Sequence, residues 1–151
     1  MADRKSLARN RRAFHEYTVE EKIEVGIVLE GTEVKSMRAH KFSFSDAYGR
    51  VRNGELWLIG LHIAEYSHGN LFNHVPIRDR KLLAHSAEID RMRRRVEERG
   101  FTLIPLEFYL KQGLIKLEMG ICKGKQLYDK RESLKKKQQK RDMDREMRGR
   151  E

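Results

Sequence analysis

KIEVGIVLEGTEVKSMR, residues 22–38, is the stretch of the 151-residue sequence that decides the fold. In its first half, apolar residues occupy every second position, at Ile23, Val25, Ile27 and Leu29. This period of two is typical of a strand with one buried face. Gly31 ends the strand, and Thr32 is predicted to cap a short helix in which Val34 and Met37 share a face. The polar residues of that helix are expected to face solvent or a binding partner: Glu33, Lys35, Ser36 and Arg38.

The chain downstream predicts more strands and turns. A second strand runs from Phe42 and Phe44 to about Val51, and Asn53-Gly54 favours a hairpin turn because both residues tolerate positive φ. The returning strand is expected to place Leu56 and Leu58 on one face, and four residues on the other: Trp57, Ile59, Leu61 and Ile63. Apolar residues on both faces indicate a well-covered strand.

The second half predicts one longer helix and two strands. The helix begins near Ser86 and ends at Gly100, with Ile89, Met92 and Val96 on its inner face. Strands over 101–110 and 114–122 follow, and Pro105 in the first of them indicates an edge or a bulge, because proline cannot donate to a ladder. Short antiparallel strands with a few small helices predict an all-β fold closed into a barrel.

The charge is concentrated at the two ends of the chain. The net charge is +10, of which residues 1–15 carry +4 and residues 125–151 carry +5. Basic ends suit a polyanion such as RNA, because Lys and Arg displace its condensed counterions. Composition alone leaves solubility as an equal explanation. Residues 1–13 are expected to be mobile in isolation, since they offer few apolar anchors.

Residues 125–151 contain too few large apolar side chains to offset the entropy of ordering them. Their helix propensity is good, and Glu132 and Lys136 form a favourable i,i+4 pair. We therefore expect this segment to be disordered in the free protein and helical on a partner.

The sequence argues against metal, cofactor and membrane chemistry. Cys122 is the single cysteine, so an internal disulfide and a cysteine-rich zinc site are excluded. His62, His68 and His74 are spaced by six, which fits neither helical nor strand ligand geometry. We expect no metal site, no cofactor and no catalytic residue. Without a long apolar run or a signal peptide, the protein is expected to be cytoplasmic.

Five segments in order carry a family resemblance: NRRAFHEY at 10–17, GIVLEGTEVKSMR at 26–38, NHVPIRDRKLLAH at 73–85, GFTLIPLEFY at 100–109 and GICKGKQLYDKRES at 120–133. Together they resemble the SmpB (small protein B, SsrA-binding) family, the tmRNA-binding proteins of bacterial trans-translation. The sequence departs from the family pattern at His40, where Gly is usual, at Ala84, where Leu is usual, and at Val75, where an acidic residue is frequent.

The resemblance implies an OB-like closed antiparallel β-barrel of about six strands at 13–124. It lies between a basic N-terminal extension, 1–12, and a basic C-terminal tail, 125–151. Glu24, Leu83 and His85 fall on positions that the family uses to hold the tRNA-like part of tmRNA. A connection without clear periodicity over 65–81 is predicted to be a binding loop, and its end, 78–81, is strongly basic. Further tmRNA-binding candidates are the residues of the first helix and the end of this loop: Thr32, Glu33, Lys35, Ser36, Arg38 and Lys81. The 31–36 motif can contact RNA or lock the barrel, and we expect it to do both, with Glu33 orienting a basic neighbour.

The junction at 123–131 is implied to enter the decoding centre and the empty messenger channel of the ribosome. The candidate residues for that contact are His15, Lys123, Gly124, Lys125, Tyr128, Asp129, Lys130 and Arg131. The expected protein is a non-catalytic monomer that carries tmRNA to stalled ribosomes, imitates a tRNA in the A site with it, and meets elongation factor Tu through alanyl-tmRNA. Two alternatives stay open: a ribosomal or assembly protein with basic extensions, and an RNA-processing enzyme.

Overall fold

A computed structural model describes residues 4–68 and 73–124 of the chain. The predicted tail, 125–151, lies outside the described residues. Within them the chain forms nine strands and three helices. Their bounds are β1 Arg4–Arg9, α1 Arg11–Glu16, β2 Tyr17–Ile27, α2 Gly31–Arg38, β3 Phe42–Ser43, β4 Tyr48–Arg52, β5 Glu55–Ile59, β6 His62–Ile63, β7 Arg80–Leu83, α3 Ser86–Arg99, β8 Thr102–Lys111 and β9 Leu114–Gly124.

Antiparallel pairing joins six of these strands in a closed ring. The order is β8, β4, β5, β7, β2 and β9, and β9 pairs with β8 again. The ring contains two long ladders, β2 with β9 and β8 with β9. β1 pairs with β8, and β3 and β6 form a separate two-stranded sheet. The fold is therefore mostly β with three small helices, as the sequence predicts.

The core lies between the strands of the ring. Ile23 and Val25 of β2 are buried in it, which confirms the alternating pattern. Phe108 of β8 packs against Phe42 and Phe44, with ring centroids 5.5 and 5.6 Å apart. Met37 of α2 and Met92 of α3 are also fully buried, and Val34 and Ile89 pack beside them against the core. Cys122 is buried too, and this burial raises the pKa of its thiol to about 12. The prediction that Val96 lies on the inner face of α3 was wrong, because its side chain is exposed near the end of the helix.

The predicted turns are confirmed. Asn53 and Gly54 have φ of 53° and 76°, and they connect β4 to β5. Gly100 has φ of 68° and ends α3 in the left-handed conformation. The register of β8 against β9 shifts between Pro105 and Glu107, which is the bulge that the proline indicated.

The returning strand differs from its prediction. Leu56 and Leu58 of β5 are buried as expected, but Leu61 and Ile63 are buried in the same core rather than on the side of Trp57. Gly60 has φ of 84°, outside the extended region, and it separates β5 from β6. The strand prediction for 42–51 also breaks in two, because Ser45 has φ of 46° between β3 and β4.

The N-terminal segment also differs from its prediction. Arg4–Arg9 was expected to be mobile but forms β1, and Leu7 is buried in the core. Asn10 fixes the chain after it: its backbone N–H donates to the Leu106 carbonyl at 2.8 Å, and its side chain donates to the Pro105 carbonyl at 2.9 Å. These partners lie almost a hundred residues away, which is why local composition did not reveal them.

Candidate nucleic-acid interface

An open groove of about 400 Å³ lies where β2, β7, β9 and the start of α3 meet. Its lining brings together Glu24, Leu83 and His85, three residues that are up to 61 positions apart in sequence. The register of the sheet is responsible, because Gly26 of β2 lies opposite Leu83 of β7 and also opposite Lys116 of β9.

The groove presents an unusual apolar surface. Leu83 is 54% exposed although its neighbour Leu82 is buried in the core. Gly26 allows this arrangement, because a Cβ at Gly26 would lie only 3.3 Å from the Cβ of Leu83. His85, also exposed, precedes α3, and its backbone N–H donates to Glu88 at 3.1 Å. An exposed leucine beside an exposed imidazole is a surface on which a base or a ribose can pack.

Two carboxylates line the groove: Glu88 accepts from the His85 backbone N–H, and Glu24 is held by side chains of β8. The Tyr109 hydroxyl donates to Glu24 Oε2, and the Lys111 Nζ lies 3.3 Å from both oxygens of that carboxylate. The Tyr109 hydrogen bond and the lysine lower the pKa of Glu24 despite the opposing effect of burial, so the group is ionised at neutral pH. An ionised carboxylate repels phosphate but accepts hydrogen bonds from base amino and imino groups.

Three residues of this site were missed by the sequence analysis: Tyr109, Lys111 and Lys116. Tyr109 and Lys111 hold Glu24, and Lys116 lines the groove and provides a cation for a phosphate. The only local signal was the outward position of Lys116 in the alternating pattern of β9. The pairing of β8 and β2 with β9, which unites the three, is not visible in a local pattern.

Lys81 lies on the same side of β7 as Leu83, because alternate strand residues share a face. Its Nζ is 3.5 Å from Glu55 of the neighbouring strand. The structure therefore places this candidate beside the groove, where its charge is partly compensated.

Helix α2 exposes only part of its predicted interface. Lys35 and Arg38 are exposed, with Lys35 5.3 Å from the ring of Tyr66 and Arg38 donating to the Gly113 carbonyl at 3.2 Å. Glu33 and Ser36 are fully buried, so the expectation that they face solvent or a partner was wrong.

Two other predictions on α2 have different outcomes. Thr32 does not cap the helix, which has Glu30 as its N-cap; the Thr32 hydroxyl instead lies 2.8 Å from the His74 Nδ1. Glu33 does orient basic neighbours, as expected. Its carboxylate accepts from Arg80 Nε at 2.5 Å and from Arg78 Nη2 at 2.5 Å. The helix therefore locks the body of the protein with its buried face and leaves two cations outside.

The candidates for ribosome contact are described in part. His15 is exposed in α1, and Lys123 and Gly124 end β9. The register pairs Tyr17 with Gly124 and Thr18 with Lys123, so His15 lies near the end of β9. The other candidates are outside the described residues: Lys125, Tyr128, Asp129, Lys130 and Arg131.

Comparison with known proteins decides the family. A family model described as "SmpB protein" matches residues 7–149. The chain belongs to the SmpB family. SmpB proteins bind RNA and are not enzymes, which removes the RNA-processing alternative.

Curated SmpB relatives cover nearly the full chain. The SsrA-binding protein of Treponema denticola is 52% identical over 143 residues, covering 95% of this chain and 93% of the relative. The SsrA-binding protein of Acetivibrio thermocellus is 51% identical, covering 96% and 94%. A solved structure described as "tmRNA-SmpB: a journey to the center of the bacterial ribosome" is 45% identical, with a TM-score of 0.67 and coverage of 79% of this chain and 84% of that chain.

Two further findings concern the described residues, 4–68 and 73–124. No helix there is sufficiently long and apolar to span a membrane. The same residues contain no cluster of three or more His, Cys, Asp or Glu side chains placed to hold a metal ion.

Proposed function

We propose that this protein binds tmRNA in the groove around Glu24, Leu83 and His85 and delivers it to stalled ribosomes for trans-translation. The single observation that carries the proposal is the geometry of the groove. The ionised Glu24 carboxylate, an exposed leucine and an imidazole meet there beside Lys116. Such a site recognises unpaired bases and sugars rather than phosphates alone.

The body that carries the groove is an OB-like closed β-barrel. The ring of six paired strands supports this, and closure removes sheet edges that would otherwise pair with other chains. We assign residues 13–124 to the barrel and 125–151 to a C-terminal tail. The basic N-terminal extension, 1–12, contributes β1 to the sheet.

In this proposal the tail, 125–151, binds the ribosome rather than tmRNA. With tmRNA, the protein imitates a tRNA in the A site, and the tail becomes helical as it probes the decoding centre and the empty messenger channel. The position of His15, Lys123 and Gly124 at one end of the sheet supports a common ribosomal face. Elongation factor Tu takes part through alanyl-tmRNA, and the protein acts as a cytoplasmic monomer.

Substitutions in the groove test the RNA-binding proposal. Glu24→Ala removes the hydrogen-bond acceptor, and Leu83→Asp places a negative charge on the apolar contact. Each is expected to weaken tmRNA binding in a mobility-shift assay by about tenfold or more, since an unpaired base contact costs roughly 1–3 kcal/mol. The melting temperature of Leu83→Asp should change little, because Leu83 is exposed, whereas Glu24→Ala should lower it modestly, because the buried Tyr109 hydroxyl loses its acceptor.

Matched controls separate recognition from charge. Glu20→Ala removes an exposed carboxylate from the same strand β2, and Val75→Asp adds a carboxylate at a 66% exposed position. Both controls are expected to bind tmRNA like the unmodified protein. The proposal is wrong if Glu24→Ala and Leu83→Asp behave like their controls.

A further inference from the structure

We propose that Tyr109, covered by Arg4 of β1, is a positioning residue that fixes the Glu24 carboxylate for RNA recognition. The inference rests on the proposed function and adds two residues to it. Both lie outside the lining of the groove, so they would act on the RNA through Glu24.

Tyr109 reaches Glu24 across an intervening strand. Tyr109 of β8 lies opposite Lys116 of β9, and Glu24 of β2 lies opposite Glu118 of the same strand. The Tyr109 hydroxyl donates to Glu24 Oε2, although the tyrosine itself is fully buried. The pKa of Tyr109 is raised, first by burial and then by this hydrogen bond, so the hydroxyl stays protonated and remains a donor at neutral pH.

The hydrogen bond leaves the two oxygens of Glu24 unequal. Oε2 is engaged by the hydroxyl and by Lys111 Nζ at 3.3 Å, whereas Oε1, among residues 4–68 and 73–124, is held by the lysine alone, at the same distance. A glutamate on a strand surface otherwise samples many rotamers, and ordering it on binding costs free energy. Because the Tyr109 hydroxyl fixes Oε2, Oε1 is also held in one orientation in the free protein. Less free energy is then lost in ordering Glu24 when the RNA binds.

Arg4 covers the tyrosine from the side of β1. Its guanidinium carbon lies 3.7 Å from the centre of the Tyr109 ring. The same guanidinium group donates to Glu107 and, at 3.1 Å, to Glu118. Ser6 of β1 also donates to Glu107, at 2.8 Å. The pairing of Ser6 with Tyr109 places β1 directly beside the tyrosine. β1 therefore seals Tyr109 beneath an ion-paired arginine, which keeps water from competing for its hydroxyl.

A double-mutant cycle tests the role of Tyr109. Tyr109→Phe removes the hydroxyl and keeps the ring, and it is expected to weaken tmRNA binding about fivefold, which corresponds to the cost of ordering one side chain on binding. In a Glu24→Ala background the same substitution should change the affinity by less than about 1.5-fold, because its partner is gone. Tyr48→Phe removes the hydroxyl of a tyrosine that is 39% exposed on β4 and should have no effect in either background.

An NMR titration of the Glu24 carboxyl carbon supplies a readout that altered packing alone would not move. In Tyr109→Phe, the pKa of Glu24 should rise towards its ordinary value, since the hydroxyl is the main cause of its lowering. An unchanged pKa would overturn the positioning role even if RNA binding were weaker.

Arg4 is tested against its neighbour Lys5, which carries the same charge on the same strand and is exposed. Arg4→Ala is expected to weaken tmRNA binding about threefold, because Arg4 covers Tyr109. Lys5→Ala should weaken it less than about 1.5-fold, because Lys5 does not cover the tyrosine. Equal losses would show that Arg4 contributes charge alone and would overturn its part in the proposal.

The outcomes distinguish the proposal from the function on which it rests. If Glu24→Ala binds tmRNA normally, the groove assignment fails and the positioning role fails with it. If Glu24→Ala weakens binding but Tyr109→Phe does not, the groove stands and only the positioning role is wrong. Equal effects of Tyr109→Phe with and without Glu24 would also overturn the positioning role.

Discussion

Among single residues, the buried Glu33 is held by a polar network that the sequence predicted only in part. Its Oε1 accepts from the Glu30 backbone N–H at 2.7 Å and from Arg78, and its Oε2 accepts from the fully buried Arg80. Arg80 also donates to the carbonyls of Leu61 and Pro76, at 2.7 and 3.0 Å. This network ties α2 to β7 and thereby to Leu83, so it supports the groove without lining it.

Removing Glu33 should destabilise the protein strongly. Glu33→Ala leaves the buried Arg80 guanidinium without its carboxylate, and losing one partner of a buried ion pair costs about 3–5 kcal/mol of unfolding free energy. Urea denaturation measures this loss. Glu55→Ala, which breaks an exposed pair with Lys81, should cost less than about 1 kcal/mol. Similar costs for the two variants would contradict the role of Glu33 as a structural centre.

Glu33 also gives the stability a defined dependence on pH. Burial raises the pKa of Glu33, but hydrogen bonds from Arg78, the Glu30 backbone and Arg80 outweigh it, and the net pKa is lowered. A lowered folded pKa means that the contribution is complete above the ordinary glutamate value of about 4.3 and is lost as pH falls through the folded value. Denaturation as a function of pH should therefore show a steeper acid loss in the unmodified protein than in Glu33→Gln, and parallel curves would contradict this.

Among the strands, the ring closes where β4 meets β8, at the pair Gly49 and Leu103. A Cβ on Gly49 would lie 2.8 Å from the Leu103 Cβ and 3.2 Å from the Met119 Cε. The glycine is therefore needed for the close approach of the two strands, since a side chain there would push β4 from β8.

Replacing Gly49 should destabilise the closed ring without preventing it from forming. Gly49→Ala is expected to lower the unfolding free energy by about 1–3 kcal/mol, the usual cost of overpacking a core. Gly31→Ala is the control, because nothing lies within 4 Å of its Cβ position at the start of α2, and alanine there should be neutral or stabilising by up to about 1 kcal/mol. Equal stability of Gly49→Ala and the unmodified protein, by urea denaturation, would contradict the tight contact.

The elements also show how far the sequence could predict the structure. The alternating apolar residues of β2 and β9 and the turn at Asn53-Gly54 are local signals, and the structure confirms them. β1 was missed because it depends on pairing with β8, and the burial of Leu61 was assigned to the wrong face because Gly60 breaks the alternation.

The candidate site was predictable only where the family resemblance named its residues. Glu24, Leu83 and His85 came from the family resemblance, and the structure places them in one groove. Glu33 was expected to be exposed because an isolated carboxylate is rarely buried, whereas its partners Arg78 and Arg80 lie 45 and 47 residues away. Tyr109 carries no local signal of its contact with Glu24, since that contact spans 85 residues.

For the chain in full, the distribution of charge fits the two roles proposed for the body and the tail. Residues 16–124 are nearly neutral, and the surplus positive charge lies in the two ends. The groove proposed to bind RNA belongs to the nearly neutral part, and this fits recognition by shape and by a few side chains. The basic tail, 125–151, is proposed to serve the ribosome.

Substitution in the tail should separate these roles. Replacing Asp129, Lys130 and Arg131 by Ala is expected to abolish rescue of stalled ribosomes in a reconstituted translation assay and to leave tmRNA affinity within about twofold. Lys140, Arg141 and Asp142 provide a control of identical composition in the same tail, and their replacement should reduce rescue less. Loss of tmRNA affinity along with rescue would contradict the division of roles.

The most direct measurement of the central claim is the affinity of a 1–124 fragment for tmRNA, compared with that of the full chain at the same salt concentration. The account predicts nearly equal affinities, together with a loss of ribosome rescue by the fragment. A properly folded fragment that binds tmRNA far more weakly than the full chain would contradict it, because the tail would then hold the RNA.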